Sequence, residues 1–156
     1  MTMTDTEAFE AMLAHHRSLT DGVEARVAAL RAAVGNGASC EASGAELVTY
    51  LAQEVLPHAL AEEQTIYRAA ARKADLAATV EGMTAEHQRL ADLSEKLARA
   101  TEGQEALVAA STIAPLFASH VDKENDLLLP RLRADGALAD LLGQMHRVLE
   151  GAGPEA

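Results

Sequence analysis

Aromatic residues make up 3% of this chain and tryptophan is absent, so the core must be built from aliphatic side chains. That scarcity, set beside an abundance of Ala and Leu, favours helices over sheets and predicts an all-α fold. Cysteine is nearly missing as well: the single Cys40 excludes an internal disulfide, an iron–sulfur cluster or a thiolate zinc site, and reads as a free loop thiol. No run of 18 apolar residues exists to span a membrane, and Met1 to Glu10 is acidic and lacks an apolar signal core, so a cytoplasmic protein is expected. Positive charge is short too. With 13 Lys and Arg against 24 Asp and Glu, the net charge of −11 repels nucleic acid and anionic membranes, and neither is expected as a partner. At 156 residues the chain is long enough to bury a core as one domain, expected over 1–150 with a frayed tail at 151–156.

What the chain does have is a pattern stated twice. A lone His16 is followed by His58-x-x-x-Glu62, and a lone His87 is followed by His120-x-x-x-Glu124. The words around the lone histidines match, since Ala14 and Ala85 precede a shared His-x-x-Leu frame, which selects His16 over its neighbour His15. Residues four apart on a helix lie on one face, about 6 Å apart along the axis, so each pair can reach one point.

The apolar periodicity places these residues on four helices. Thr4-x-x-Glu7 is a capping box, and Phe9, Met12, His16, Leu19, Val23, Val27 and Leu30 form one stripe up to Gly35-Asn36-Gly37. Ser43-x-x-Glu46 predicts the start of a second helix running to about Ala74, with Leu47, Leu51, Val55, His58 and Glu62 inward and a kink at Pro57. A third helix covers Leu76 to Ala100 with His87 inward and a candidate break at Gly82. A fourth runs from Gln104, bent at Pro115 and closed by Pro130. After Gly136 the pattern Leu138, Leu141, Leu142, Met145, Leu149 predicts a short fifth helix. The expected architecture is an antiparallel up-down-up-down four-helix bundle with that fifth helix over one end.

All six residues fall on apolar stripes, and no Lys or Arg stands at helical spacing to neutralise Glu62 or Glu124. An unpaired buried carboxylate costs several kcal/mol, and a bound cation removes that cost. His16, His58, Glu62, His87, His120 and Glu124 are therefore the candidate metal ligands. Four imidazoles and two carboxylates suit iron, manganese or zinc. If both carboxylates bridge two ions, positions remain for an oxygen bridge and a small exogenous ligand.

Neighbouring residues are weighed on a helical wheel. Glu63 and Glu86 sit about 100° from their ligand neighbours and are candidates for supporting or extra ligands. Tyr50 is about 80° from His58 on a straight helix and is kept as a further candidate, whereas Tyr67, about 180° away, is left outside the site. His15 is expected at the surface or behind a ligand, and no distinct catalytic residue is assigned beyond the ligands.

This order, His … His-x-x-x-Glu … His … His-x-x-x-Glu over Glu7 to Pro130, resembles the hemerythrin-like (HHE cation-binding) family. Leu56-Pro57-His58, Glu62-Glu63 and Leu127-Leu128-Leu129-Pro130 support the likeness. The resemblance implies a cofactor of two iron ions, oxo- or hydroxo-bridged. That centre would bind or turn over O₂, hydrogen peroxide or nitric oxide, with catalase- or peroxidase-like activity as one outcome. The alternative is a non-enzymatic iron or oxygen sensor acting through a partner chain. Two departures from the invertebrate oxygen carriers stand out. Met83 and Ala91 flank His87 at four residues where those carriers have a second histidine, and Asn125 stands where their last carboxylate falls, so the ligand role passes to Glu124. A ferritin-like carboxylate site would need Glu-x-x-His pairs, which this chain lacks.

Overall fold

The computed structural model describes residues 2–151, so the tail expected at 151–156 lies, from residue 152 on, outside the described residues. No strand occurs among them. The first rod is α1, Asp5–Gly35, opened by the expected capping box: the Thr4 hydroxyl accepts from the Glu7 amide at 3.1 Å, and the Glu7 carboxylate accepts from the Thr4 amide at 2.8 Å. It stops at Asn36 and Gly37, whose φ of +72° turns the chain.

The second rod begins at Glu41, two residues before the predicted Ser43 cap, and Ser43 and Glu46 form no capping box. Burial decides the difference. Cys40, Gly44 and Leu47 recur at helical spacing and pack into the core, which draws the helix start back to the half-buried, free Cys40. Helix α2 (Glu41–Tyr50) passes through a wide π-helical turn at Leu51–Val55 into α3 (Leu56–Gln64), and after a break at Thr65 continues as α4 (Ile66–Ala71).

The third rod, α5 (Ala77–Arg99), runs unbroken through Gly82. The fourth, α6 (Gly103–Lys123), also continues through Pro115. It then repeats the device of the second rod: a π-helical turn at Glu124–Leu128 leads into α7 (Leu129–Ala134), so Pro130 does not close the helix as expected. In both rods Leu-Pro follows the wide turn directly. A proline ring clashes with the carbonyl four residues back, here Gln53 and Asp126, and both carbonyls lie inside the widened turns, where a longer hydrogen-bond ring relieves the crowding.

The four rods pack in a ring, α1 on α2, α2 on α5, α5 on α6 and α6 on α1, while α8 (Leu138–Leu149) covers α1, α3, α4 and α7 at one end. Leu138, Leu141, Leu142 and Met145 fasten α8 there, and the Asp5 carboxylate accepts from the Ala139 amide at 2.7 Å. The core divides in two. One apolar cluster around Leu47, Leu51, Leu90, Ile113 and Phe117 fills one end, and another around Met12, Ile66, Met83, Leu128 and Leu138 fills the α8 end. Between them lies a polar layer containing His16, His58, Glu62, His87, His120 and Glu124. Among the described residues no helix is long and apolar enough to cross a membrane.

Candidate metal centre

Each rod contributes to the layer: His16 from α1, His58 and Glu62 from α3, His87 from α5, and His120 with Glu124 from the end of α6 and its wide turn. All six are buried, none more than 6% exposed. The imidazoles point Nε2 inward and fall into two halves about the paired carboxylates. In one half, His16 and His58 stand 3.3 and 3.2 Å from Glu62 Oε2, and His16 is 3.1 Å from Glu124 Oε2. In the other, His120 is 2.6 Å from Glu124 Oε1, while His87 is 3.9 Å from that oxygen and 3.7 Å from Glu62 Oε1. Each carboxylate therefore sends one oxygen to each half. Glu62, His87, His120 and Glu124 form one group whose donor atoms all lie within 4.8 Å of one another, and His16, His58 and Glu62 form a second.

Tyr67 belongs to this layer, contrary to the helical-wheel expectation. Its hydroxyl donates to Glu124 Oε1 at 2.5 Å and lies 2.9 Å from His120 Nε2 and 3.3 Å from His87 Nε2, with its ring stacked on His87. The straight-helix reckoning fails at Thr65. There the Thr65 hydroxyl donates back to the Ala61 carbonyl at 2.7 Å and the backbone leaves the helical region at φ −124°, ψ −81°, which resets the phase of α4. No residue spacing announces that reset, although a threonine four residues after a buried alanine is the kind of residue that produces it.

Tyr50, by contrast, lies away from the layer. Its hydroxyl donates to the Ser18 carbonyl at 3.4 Å and Arg26 covers its ring at 4.0 Å, an arrangement that closes the α1–α2 contact.

Glu63 and Glu86 reach the outer nitrogens of the imidazoles. The residue beside a candidate ligand on one rod supports the imidazole of the next rod. Glu63 on α3 meets His87 Nδ1 at 3.1 Å, Glu86 on α5 meets His120 Nδ1 at 3.0 Å, and Asn125 after α6 meets His16 Nδ1 at 2.6 Å. Lys123 in turn donates to Glu86 at 2.6 Å. The fourth place in this ring belongs to His15, which precedes His16 and stands at the surface with its ring centroid 4.8 Å from that of His58. No hydrogen bond joins them. Both nitrogens of His58 lack a hydrogen-bond partner, since Nε2, though near Glu62, is off the line of a bond.

The electrostatics are those of a layer short of positive charge. Burial and the Glu62 charge push Glu124 up to about 7. For Glu62 burial acts upward, but His58 and His16 hold it well below the ordinary carboxylate range. Burial also resists a charge on His16, yet the carboxylates of Glu62 and Glu124 outweigh it and raise that imidazole to about 9. Burial among these carboxylates raises the Tyr67 phenol strongly. Glu62 and Glu124 meet no Lys or Arg in the described contacts; they face each other, the imidazoles and the Tyr67 hydroxyl. Buried carboxylates converging with inward Nε2 atoms, each set on a fixed outer nitrogen in three of four cases, fit a bound cation.

The model of the hemerythrin HHE cation-binding domain matches residues 7–132. The chain belongs to that family. The match runs from the first turn of α1 into α7 and so takes in every residue of the polar layer, which makes this hemerythrin-family chain a metal-binding domain. No curated protein and no solved structure matches it.

Proposed function

We propose that this hemerythrin-family domain is a di-iron protein: His16 and His58 would hold one iron ion and His87, His120 and Tyr67 the other, with Glu62 and Glu124 offering an oxygen to each. On this reading the four rods run up, down, up and down, as their short connections favour, and the protein works in the cytoplasm on O₂, hydrogen peroxide or nitric oxide. The single observation that carries the proposal is the split of both carboxylates, with one oxygen of each directed to each half of the layer. One ion at the centre of one half would leave the inward imidazoles and carboxylate oxygens of the other half without a metal partner.

Bound iron would supply electrons and an open coordination position for a small oxygen or nitrogen ligand. The protein's part is geometric. Glu63, Glu86 and Asn125 hold three imidazoles in one tautomer and orientation, and the apolar clusters on either side keep bulk water out. The two halves are unequal. Tyr67 adds an oxygen to the His87/His120 half and nothing equivalent serves the His16/His58 half, so the exogenous ligand is assigned to the latter. The alternative, a sensor of iron or oxygen acting through a partner chain, draws support from the layer's dependence on all four rods, since metal binding would then order the whole bundle.

Metal analysis and an optical spectrum of aerobically purified protein test the centre, followed by hydrogen peroxide with O₂ release monitored. Two irons per chain, lost in His58→Ala and His120→Ala, with O₂ evolution, is the outcome expected for turnover. Iron without turnover would favour the sensor, and metal content untouched by both substitutions would sink the centre.

A further inference from the structure

A cleft of about 280 Å³ opens between α1 and α8 and reaches His58; its wall includes Met12, His15, Leu142, Met145 and His146. We propose that it is the port through which a small, uncharged, weakly polar molecule of diatomic size reaches the His16/His58 half of the centre. The inference rests on the metal-centre reading above and adds to it the route and the kind of molecule admitted.

Three observations converge on this cleft. His58 is 4% exposed and is the one imidazole of the four without an outer acceptor: its Nδ1 has no hydrogen-bond partner and its Nε2 meets Glu62 only off the line of a bond, so its ring lacks the outer anchor that holds the other three. His87 also borders a surface cleft, but there Glu63 holds its outer nitrogen and Tyr67 stacks on its ring, so that entrance meets a fixed wall. The floor of the α1–α8 cleft is Met12, Leu142 and Met145, all buried and apolar, with no Asp, Glu, Lys or Arg in its lining. An ion or a strongly hydrated solute would have to shed water with no hydrogen-bonding return along that floor, whereas a diatomic gas has almost no hydration to lose. The volume holds several such molecules and is far too small for a folded partner's helix. His15 and His146 stand at the exposed rim, and thioethers adapt to irregular apolar guests.

Two arms test the port. In metal-free protein, xenon serves as an apolar probe, and the expected result is a saturable shift of the Met12 and Met145 methyl resonances on pressurisation, with the methyls of Met3 and Met83 unmoved. In iron(II)-loaded protein, Ala11→Trp and Leu149→Trp narrow the mouth from two positions exposed to solvent. Nitric oxide association should slow by about tenfold in each, with iron content and spectrum unchanged. Methyl shifts absent from Met12 and Met145, or association unaltered in both variants, would overturn the port. Association of hydrogen peroxide slowed in both variants while nitric oxide is not would also overturn it, since the admitted molecule would then be the polar one. If the protein takes up no iron, the metal-centre reading fails and the xenon arm alone decides whether the cleft admits an apolar guest.

Discussion

The Tyr67 hydroxyl donates to Glu124 Oε1 at 2.5 Å across the polar layer, from a helix that begins only after the break at Thr65. Its oxygen lies within 3.3 Å of both His87 and His120 Nε2, in the space a metal bound to that half would share. A cation there reverses the present electrostatics: burial and the carboxylates raise the phenol, whereas a ferric ion would draw off its proton. The iron(III) protein is therefore expected to show a visible phenolate-to-iron band that disappears in Tyr67→Phe and persists in Tyr50→Phe. Without metal, Tyr67→Phe should cost about 1–3 kcal/mol, the penalty for stripping a buried carboxylate of a donor, measurable by urea unfolding. A spectrum identical in wild type and Tyr67→Phe would remove Tyr67 from the metal's coordination.

The two tyrosines show where the sequence was readable and where it was not. Five residues of the layer lie on straight stretches of helix and the sixth, Glu124, stands where α6 enters its wide turn, so a spacing of four still fixes a common face and the doubled His-x-x-x-Glu pattern could be read directly. Tyr67 and Tyr50 were judged by the same wheel, but a back-bonding Thr65 and a π-helical turn at Leu51–Val55 separate them from His58, and each interruption resets the phase. The prolines were legible as disturbances but not in their effect: Pro57, expected to kink its rod, and Pro130, expected to close its own, each follow a widened turn, and the fourth rod runs on past Pro130 because its apolar stripe continues through Leu128, Leu129 and Leu132. The supporting roles of Glu63, Glu86 and Asn125 depend on which rods are neighbours, which spacing along one helix cannot tell.

Those three side chains share a consequence. An outer acceptor fixes the tautomer and raises the basicity of the imidazole it touches, and its loss in metalloproteins weakens binding by about 10- to 100-fold. Glu86→Ala should lower iron affinity by that amount through His120, and Glu86→Gln, which keeps an acceptor oxygen, should recover part of it. Asn125→Ala should act likewise through His16. Competition with a chelator reads the effect, and affinities equal to wild type would show the outer bonds to be incidental.

Tyr50 has a structural role that can be measured at Gly22. A methyl group added to Gly22 would run into the Tyr50 hydroxyl and ring, which lie between α1 and α2 under Arg26. Gly22→Ala should therefore destabilise the fold by about 1–3 kcal/mol despite the better helix propensity of alanine. The double variant with Tyr50→Ala should recover much of that loss, because the obstructing ring is gone. A stabilised Gly22→Ala protein would mean that the α1–α2 contact opens freely.

The metal-free protein carries its own pH signature. His16 is raised in the fold to about 9 from its ordinary 6.5, and Glu124 to about 7 from 4.5. Both groups bind protons more tightly when folded, so the stability each contributes is complete below its unfolded value and is lost as pH rises through its folded one. His120 is shifted upward as well and acts in the same sense, whereas His87 is shifted downward, so its opposing contribution is confined to pH below about 6.5. Between pH 6.5 and 9 only loss remains, and the Tm of metal-free protein should fall on the order of 5–10 °C across that window. Bound iron replaces the protons as the layer's counter-charge, so the loaded protein should change far less over the same range. Differential scanning calorimetry of both forms measures the contrast, and a metal-free Tm that holds or rises from pH 6.5 to 9 would contradict the charge balance assigned to the buried carboxylates.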